Sequence, residues 1–148
     1  MALDVRAYLK AAPKRILHET FGQGEYAFDV TILGCTRYEM EAMRSAATTK
    51  ILDKTTRQFV DTPDLRKIRE FLARKCLNGW SQLTGRKLAY WANLEPTGTA
   101  DDDAIVEFSP EAAIAVMEAS NQFENFVFTR ATDLADVISV EDAAGKNA

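Results

Sequence analysis

The stretch "LRKIREFLARKCLNGWSQL", Leu65 to Leu83, decides how this chain is read, because it joins an amphipathic run to a tryptophan through a polar break. Leu65, Ile68, Leu72 and Cys76 recur at three- and four-residue steps, the spacing that lines one face of an α-helix, and Phe71 widens the stripe. Just upstream, Thr62 can cap, Pro63 suits the first helical position and Asp64 complements the helix N-terminal dipole. Past Leu77, "NGWSQL" reads as a polar turn. The expectation is a helix from Leu65 to Leu77 that delivers Trp80 beside an apolar stripe, where the indole plugs one layer of a small core. The opposite face carries Arg66, Lys67, Arg69, Arg74 and Lys75, a solvated surface or one that meets an acidic partner.

Upstream of this helix the periodicity changes. "KRILHETF" and "EYAFDVTIL" alternate around "GQGE", which predicts a β-hairpin whose Tyr26, Phe28, Val30 and Ile32 face needs covering by helices. Before it, "LDVRAYLKAA" suggests a short helix with Val5, Tyr8 and Leu9 on one side, ended by Pro13. After Gly34, Thr36 and Glu39 in "TRYE" have capping-box spacing, so a helix starts there with Met40, Met43, Ala47 and Ile51 as its stripe. The β-branched Thr48 and Thr49 weaken that helix and leave its end open between Ala47 and Phe59.

Downstream, "SQLTGRKLAYWANLEPTGTADDDAIVEF" reads as the longest irregular stretch, anchored by Leu83, Leu88 and Trp91. Asp101, Asp102 and Asp103 lack the alternating ligands and central glycine of a calcium loop, and are expected at a solvated, dispensable loop tip. Then "FSPEAAIAVMEAS" repeats the start signals, with Ser109 as cap, Pro110 at the first position and Glu111 in the first turn. A further helix, "NQFENFVFTRATDLADVI", offers Phe123, Phe126, Val127, Leu134 and either Val137 or Ile138 at helical spacing. The fold expected is mainly α with a small N-terminal β-hairpin, a compact helical domain of about four to six helices over residues 1–140, followed by a flexible tail at 141–148. Trp80, Leu83, Trp91, Phe108, Phe123 and Phe126 are its expected core anchors.

Composition narrows the function classes. The chain has 148 residues, a net charge of -4 and 47% hydrophobic residues, which is ordinary for one domain and ill suited to nonspecific nucleic-acid binding. The first residues hold no apolar core behind a basic start, and no run approaches a membrane span, so a cytoplasmic product without membrane contact is expected. Cys35 and Cys76 lack metal-site spacing and read as buried free thiols, and His18, the single histidine, has no nucleophile motif beside it. No dinucleotide, phosphate-loop or zinc-protease motif occurs, so no enzyme activity, cofactor or metal is expected.

From Phe28 onward the order of parts resembles the tail assembly chaperones of long-tailed bacteriophages and prophages. The likeness is carried by "FDVTIL", the capped helix after "CTRYEME", the helix "LRKIREFLARKCL" running into "NGWSQL", and "EFSPEAAIAVMEASNQFENFVFTRATDL". It departs in the basic "SQLTGRK", where relatives often carry a small residue and an acidic turn, and in a longer "TADDDA" loop. The resemblance implies a non-catalytic helical protein that binds the tape measure protein, helps recruit tail tube subunits in the bacterial host cytoplasm and is absent from the mature virion. Met40 and Met43, with Arg66, Arg69 and Arg74, are the candidate partner surface, core filling being the other reading of the methionines. Self-association stays open, and a tail completion or connector protein and a small nucleic-acid-binding regulator are the alternatives.

Overall fold

The computed structural model describes residues 2–132, and its centre is strand β2, Phe28–Leu33. Phe28, Val30 and Ile32 are buried while Asp29 is exposed, the alternation of an antiparallel strand with one covered face. β1, Ile16–Phe21, pairs with it from Ile16↔Leu33 to Phe21↔Phe28, as the hairpin reading expects. The unexpected partner is β5, Leu77–Ser81, which lies antiparallel on the other side and gives the sheet order β1-β2-β5. The stretch read as a turn is therefore a strand. Val30 faces Trp80 and Ile32 faces Leu77, while Thr31 faces Gly79, so Asn78 is an extra residue that bulges out of the ladder.

The helix before β5 is shorter than its stripe predicts. α3 spans Leu65–Phe71, one π-helical turn continues it over Leu72–Cys76, and β5 follows directly. A π turn widens the helix by one residue, and here the widened turn holds the buried Leu72, Ala73 and Cys76. The cap is Asp64, whose carboxylate accepts from the Arg66 and Lys67 amides. Thr62 and Pro63 instead close a strand.

That strand belongs to a second sheet. α2, Arg37–Ala47, starts at the Thr36–Glu39 capping box and stops where Thr48 turns extended. β3, Thr48–Leu52, then pairs with β4, Phe59–Pro63, in a separate two-stranded hairpin, from Thr48↔Pro63 to Leu52↔Phe59. β-branched Thr48, Thr49, Ile51, Val60 and Thr62 favour the pleated form over a longer helix. With six helices and five strands in two sheets among the described residues, the protein is an α+β fold, not a helical domain with a small hairpin appended.

The remaining helices are α1, Val5–Ala11; α4, Gly85–Trp91; α5, Pro110–Ala119; and α6, residues 121–132. α4 lies in the stretch read as irregular, capped by Thr84, and short 3-10 turns form at Gly24–Tyr26 and Ala100–Asp103. Ser109 caps α5 through the Ala112 amide. The core joins the inner face of the first sheet to Met40 and Met43 of α2, Leu72 and Cys76, Val116 and Met117 of α5, and Phe123, Val127 and Ala131 of α6. Leu134, Val137, Ile138 and the tail at 141–148 lie outside the described residues.

Candidate protein-binding surface

The arm formed by β3 and β4 buries almost nothing. Ile51, Leu52, Phe59 and Val60 are 52%, 50%, 70% and 47% exposed. Leu52 pairs with Phe59 and Ile51 with Val60, and successive pairs point to opposite faces, so both faces near the tip carry apolar side chains. The tip itself is ordered by Asp53, whose carboxylate accepts from the Thr55 and Thr56 amides and whose own amide donates to Gln58. At the root the Asp64 amide donates to the Ala47 carbonyl, which ties the end of α2 to the start of α3. α1 is similarly uncovered: it has no buried residue, and Val5, Tyr8 and Leu9 all point their bulk into solvent.

Between α2 and α3 runs an apolar groove of about 350 Å³, lined by Ala42, Met43, Ala46 and Phe71, with Lys67 and Lys75 at its edge. Its far end carries Glu39, which pairs with Lys14 at 2.9 Å; the same ammonium donates to the Lys75 carbonyl at 2.8 Å. Partial burial alone would raise the Glu39 carboxyl, but the Lys14 hydrogen bond, the Thr36 amide and the Lys14 charge outweigh it and hold it below its ordinary value.

Met40 and Met43 sit in the core, 7% exposed each, which agrees with the core-filling reading of the methionines and leaves them out of the candidate partner surface. They belong to the same buried cluster as the inner face of the first sheet and Phe123, Val127 and Ala131 of α6. The basic face of α3 is also divided. Arg69 pairs with Glu124 of α6, and Arg74 reaches Glu70 and Glu111 at 3.3 and 3.4 Å, which leaves Arg66 on the exposed side.

The expected anchors gather in one aromatic layer. Trp80 is half-buried on β5, its indole N–H donating to the Val106 carbonyl at 2.8 Å, its ring edge-on to Phe108 at 5.0 Å. Trp91 donates to the Tyr26 carbonyl at 2.9 Å and lies 4.4 Å from the Phe21 ring, which also meets Phe123 and Phe126. Leu83 and Phe123 are fully buried. The Trp91 ring passes so close to Gly22, φ +83°, that a Cβ there would stand 2.4 Å from it.

The acidic loop departs from its reading as a solvated tip at Asp102. Asp102 is buried, and its carboxylate accepts from the Thr97 amide and hydroxyl, both at 2.9 Å, and from the Gly98 amide at 2.8 Å. Burial opposes the charge, but those bonds and the Arg86 charge prevail, so the Asp102 carboxyl lies below its ordinary value. The loop also presses on α4: a Cβ on Gly85 would meet the Asp101 carbonyl at 2.2 Å. Only Asp101 and Asp103 stay exposed.

Cys35 and Cys76 are both buried, and the neighbouring Cys35 thiol together with burial pushes the Cys76 thiol far up. His18 is exposed on β1, 3.2 Å from the Thr31 hydroxyl. A second, polar cleft of about 770 Å³ lies between α4 and the start of α6, bordered by Arg86, Asn93, Asn121 and the parallel-stacked Tyr26 and Tyr90 rings, 3.9 Å apart. No helix among the described residues is long and apolar enough to cross a membrane. No family model, no curated protein and no solved structure matches this chain.

The sequence reading missed the arm, the groove and the role of Asp102. The arm had a signal, the β-branched "TTKIL" and "FVDT" around the turn-forming "DKTTRQ". The groove had none, because it exists only where two helices meet.

Proposed function

We propose that this protein is a non-catalytic assembly chaperone that covers the apolar faces of a long helical partner, the tape measure protein of a phage or prophage tail, and helps recruit tail tube subunits. The observation that carries the reading is the β3–β4 arm, which holds Ile51, Leu52, Phe59 and Val60 in solvent and has no cover within the described chain. An isolated two-stranded hairpin with apolar residues on both faces is marginal in water, and a partner that covers it removes that cost. The order of motifs from Phe28 onward supports the identity of the partner, and the proposed site of action is the bacterial host cytoplasm, with the protein leaving before the virion is finished.

The test is co-expression with the long helical protein encoded by the same phage or prophage. The partner is expected to stay soluble and to co-purify through contacts that survive moderate salt, since apolar burial is insensitive to screening. Equal aggregation with and without this chain removes the reading. A connector role is the second reading, favoured by the two open strand edges of the arm, which suit strand addition between neighbouring copies. It requires the chain as a stoichiometric component of finished tails, which mass spectrometry of mature particles detects. The nucleic-acid reading loses ground because Arg69 and Arg74 are engaged by carboxylates.

A further inference from the structure

The groove between α2 and α3 has a charge pattern as well as a shape. Ala42 and Ala46 stand one turn apart on α2, and their short side chains leave the depression that Met43 and Phe71 border. Lys67 and Lys75 are two turns apart along the facing segment, roughly 12 Å by helical rise. Among the described residues neither lysine is in an ion pair; the Lys67 ammonium donates to the Ala46 carbonyl at 3.2 Å. Glu39, the acid in the lining, is already matched by Lys14. The groove therefore offers an apolar floor beside two uncompensated cations.

We propose that this groove is the docking site for an amphipathic helix of the partner protein whose apolar stripe is flanked by acidic residues. Such a helix sets its i, i+3, i+4 and i+7 side chains on the alanine floor and places carboxylates against Lys67 and Lys75. The groove ends at Ala46 and Ala47, next to Thr48 at the root of the arm; Thr48, Thr49 and Lys50 are polar, and the arm's apolar pairs, Ile51 with Val60 and Leu52 with Phe59, lie beyond them toward the tip. From Glu39 to Leu52 the chain runs roughly 30 Å by helical and strand rise, so a partner helix of about 20 residues is long enough to reach both the groove and the apolar tip of the arm. α1 of a second copy has 7 residues and is too short to reach both, which favours a long partner helix. The proposal rests on the assembly reading for the existence of a partner and adds the chemistry that the partner presents.

The experiment titrates the full-length protein into two fluorescent 20-residue helical peptides that share a leucine stripe, one flanked by glutamates and the other by lysines. The glutamate peptide is expected to bind at least about ten-fold more tightly, corresponding to about 1.4 kcal/mol. In Lys67→Glu/Lys75→Glu the preference should reverse, and in Ala42→Gln/Ala46→Gln, which fills the exposed floor, both peptides should weaken about ten-fold. Thermal midpoints verify that each variant is folded; should the reversal unfold, Lys67→Gln/Lys75→Gln is expected to erase the preference. Equal affinities, a preference indifferent to the lysines, or full binding by the filled variant overturns the proposal. So does self-association abolished by the same variants, which assigns the groove to a second copy. Zero-length crosslinks from Lys67 or Lys75 to carboxylates of residues 133–148 in the free monomer also overturn it, by assigning the groove to this chain's own C-terminal segment. If the groove variants lose peptide selectivity but still solubilise the partner, the assembly reading stands without this site. Selective peptide binding without solubilisation leaves the site and removes the reading.

Discussion

Asp102 concentrates the structural cost of the loop between α4 and α5. Its two oxygens satisfy the Thr97 and Gly98 amides and the Thr97 hydroxyl, so removing it takes the partner from two backbone amides, while the hydroxyl keeps its contact with Thr99. Asp102→Ala is expected to lower the thermal midpoint by several degrees, while Asp101→Ser/Asp103→Ser leaves it nearly unchanged; equal effects from the two would show that the loop does not depend on this carboxylate. Asp102 and Glu39 both titrate below their ordinary values in the folded protein. A depressed carboxyl binds fewer protons folded than unfolded, so its contribution is present above the ordinary carboxylate range and fades as pH falls through the folded value. Denaturation midpoints measured from pH 7 down to pH 3 should therefore fall, and Asp102→Asn/Glu39→Gln should flatten that slope. Trp80 is the second focus, since its indole joins β5 to the Val106 carbonyl as well as filling space. Trp80→Ala is expected to cost about 3 kcal/mol in urea denaturation. Trp80→Phe retains the ring contact with Phe108 and should recover most of that; a Phe variant as unstable as the Ala variant would show that the hydrogen bond to Val106 outweighs the packing of the ring.

The arm is the element whose sequence and environment disagree most. Its residues favour strands, yet no third strand or helix covers it within the described chain, so it contributes little to stability here. Because the Asp64 amide already meets the Ala47 carbonyl, residues 48–63 can be replaced by a short glycine linker without opening the core. That variant should unfold within about 1 kcal/mol of the parent in denaturant while losing co-purification with the helical partner. A collapse of stability would instead make the arm part of the folding unit. Legibility divides at the same scale. The starts of α2 and α5 were readable because their caps are local, Thr36 with Glu39 and Ser109 with Pro110. β5 was not, because "LNGWS" carries a bulge and no clean alternation, and becomes a strand only by pairing with β2 from a distant part of the chain. The helix and π turn that precede it look like one longer helix in sequence, since a π turn keeps the apolar residues near the same face.

Across the whole molecule, burial grades outward from β2, and that gradient explains both what was legible and what the protein can do. The anchors Trp80, Trp91, Phe123 and Phe126 were identifiable as apolar mass, but their grouping around Phe21 required the sheet that only long-range pairing creates. Likewise Cys35 and Cys76 read as two unrelated thiols, and adjoin because the end of β2 runs beside the start of β5. At the periphery, α1 and the arm expose apolar residues that the core does not use. Local opening free energy follows such contacts, so amide exchange should be slowest in β2, whose neighbours lie on both sides, and fastest in α1 and the β3–β4 arm. Binding of the partner should then slow exchange in the arm and along α2 and α3, and β2, which opens only by global unfolding, should slow by the free energy that binding adds to global stability. If exchange measured by mass spectrometry slows instead in β1 and around Tyr26 and Tyr90, the polar cleft beside α4 receives the partner, and the α2–arm–α3 surface is not the one that functions.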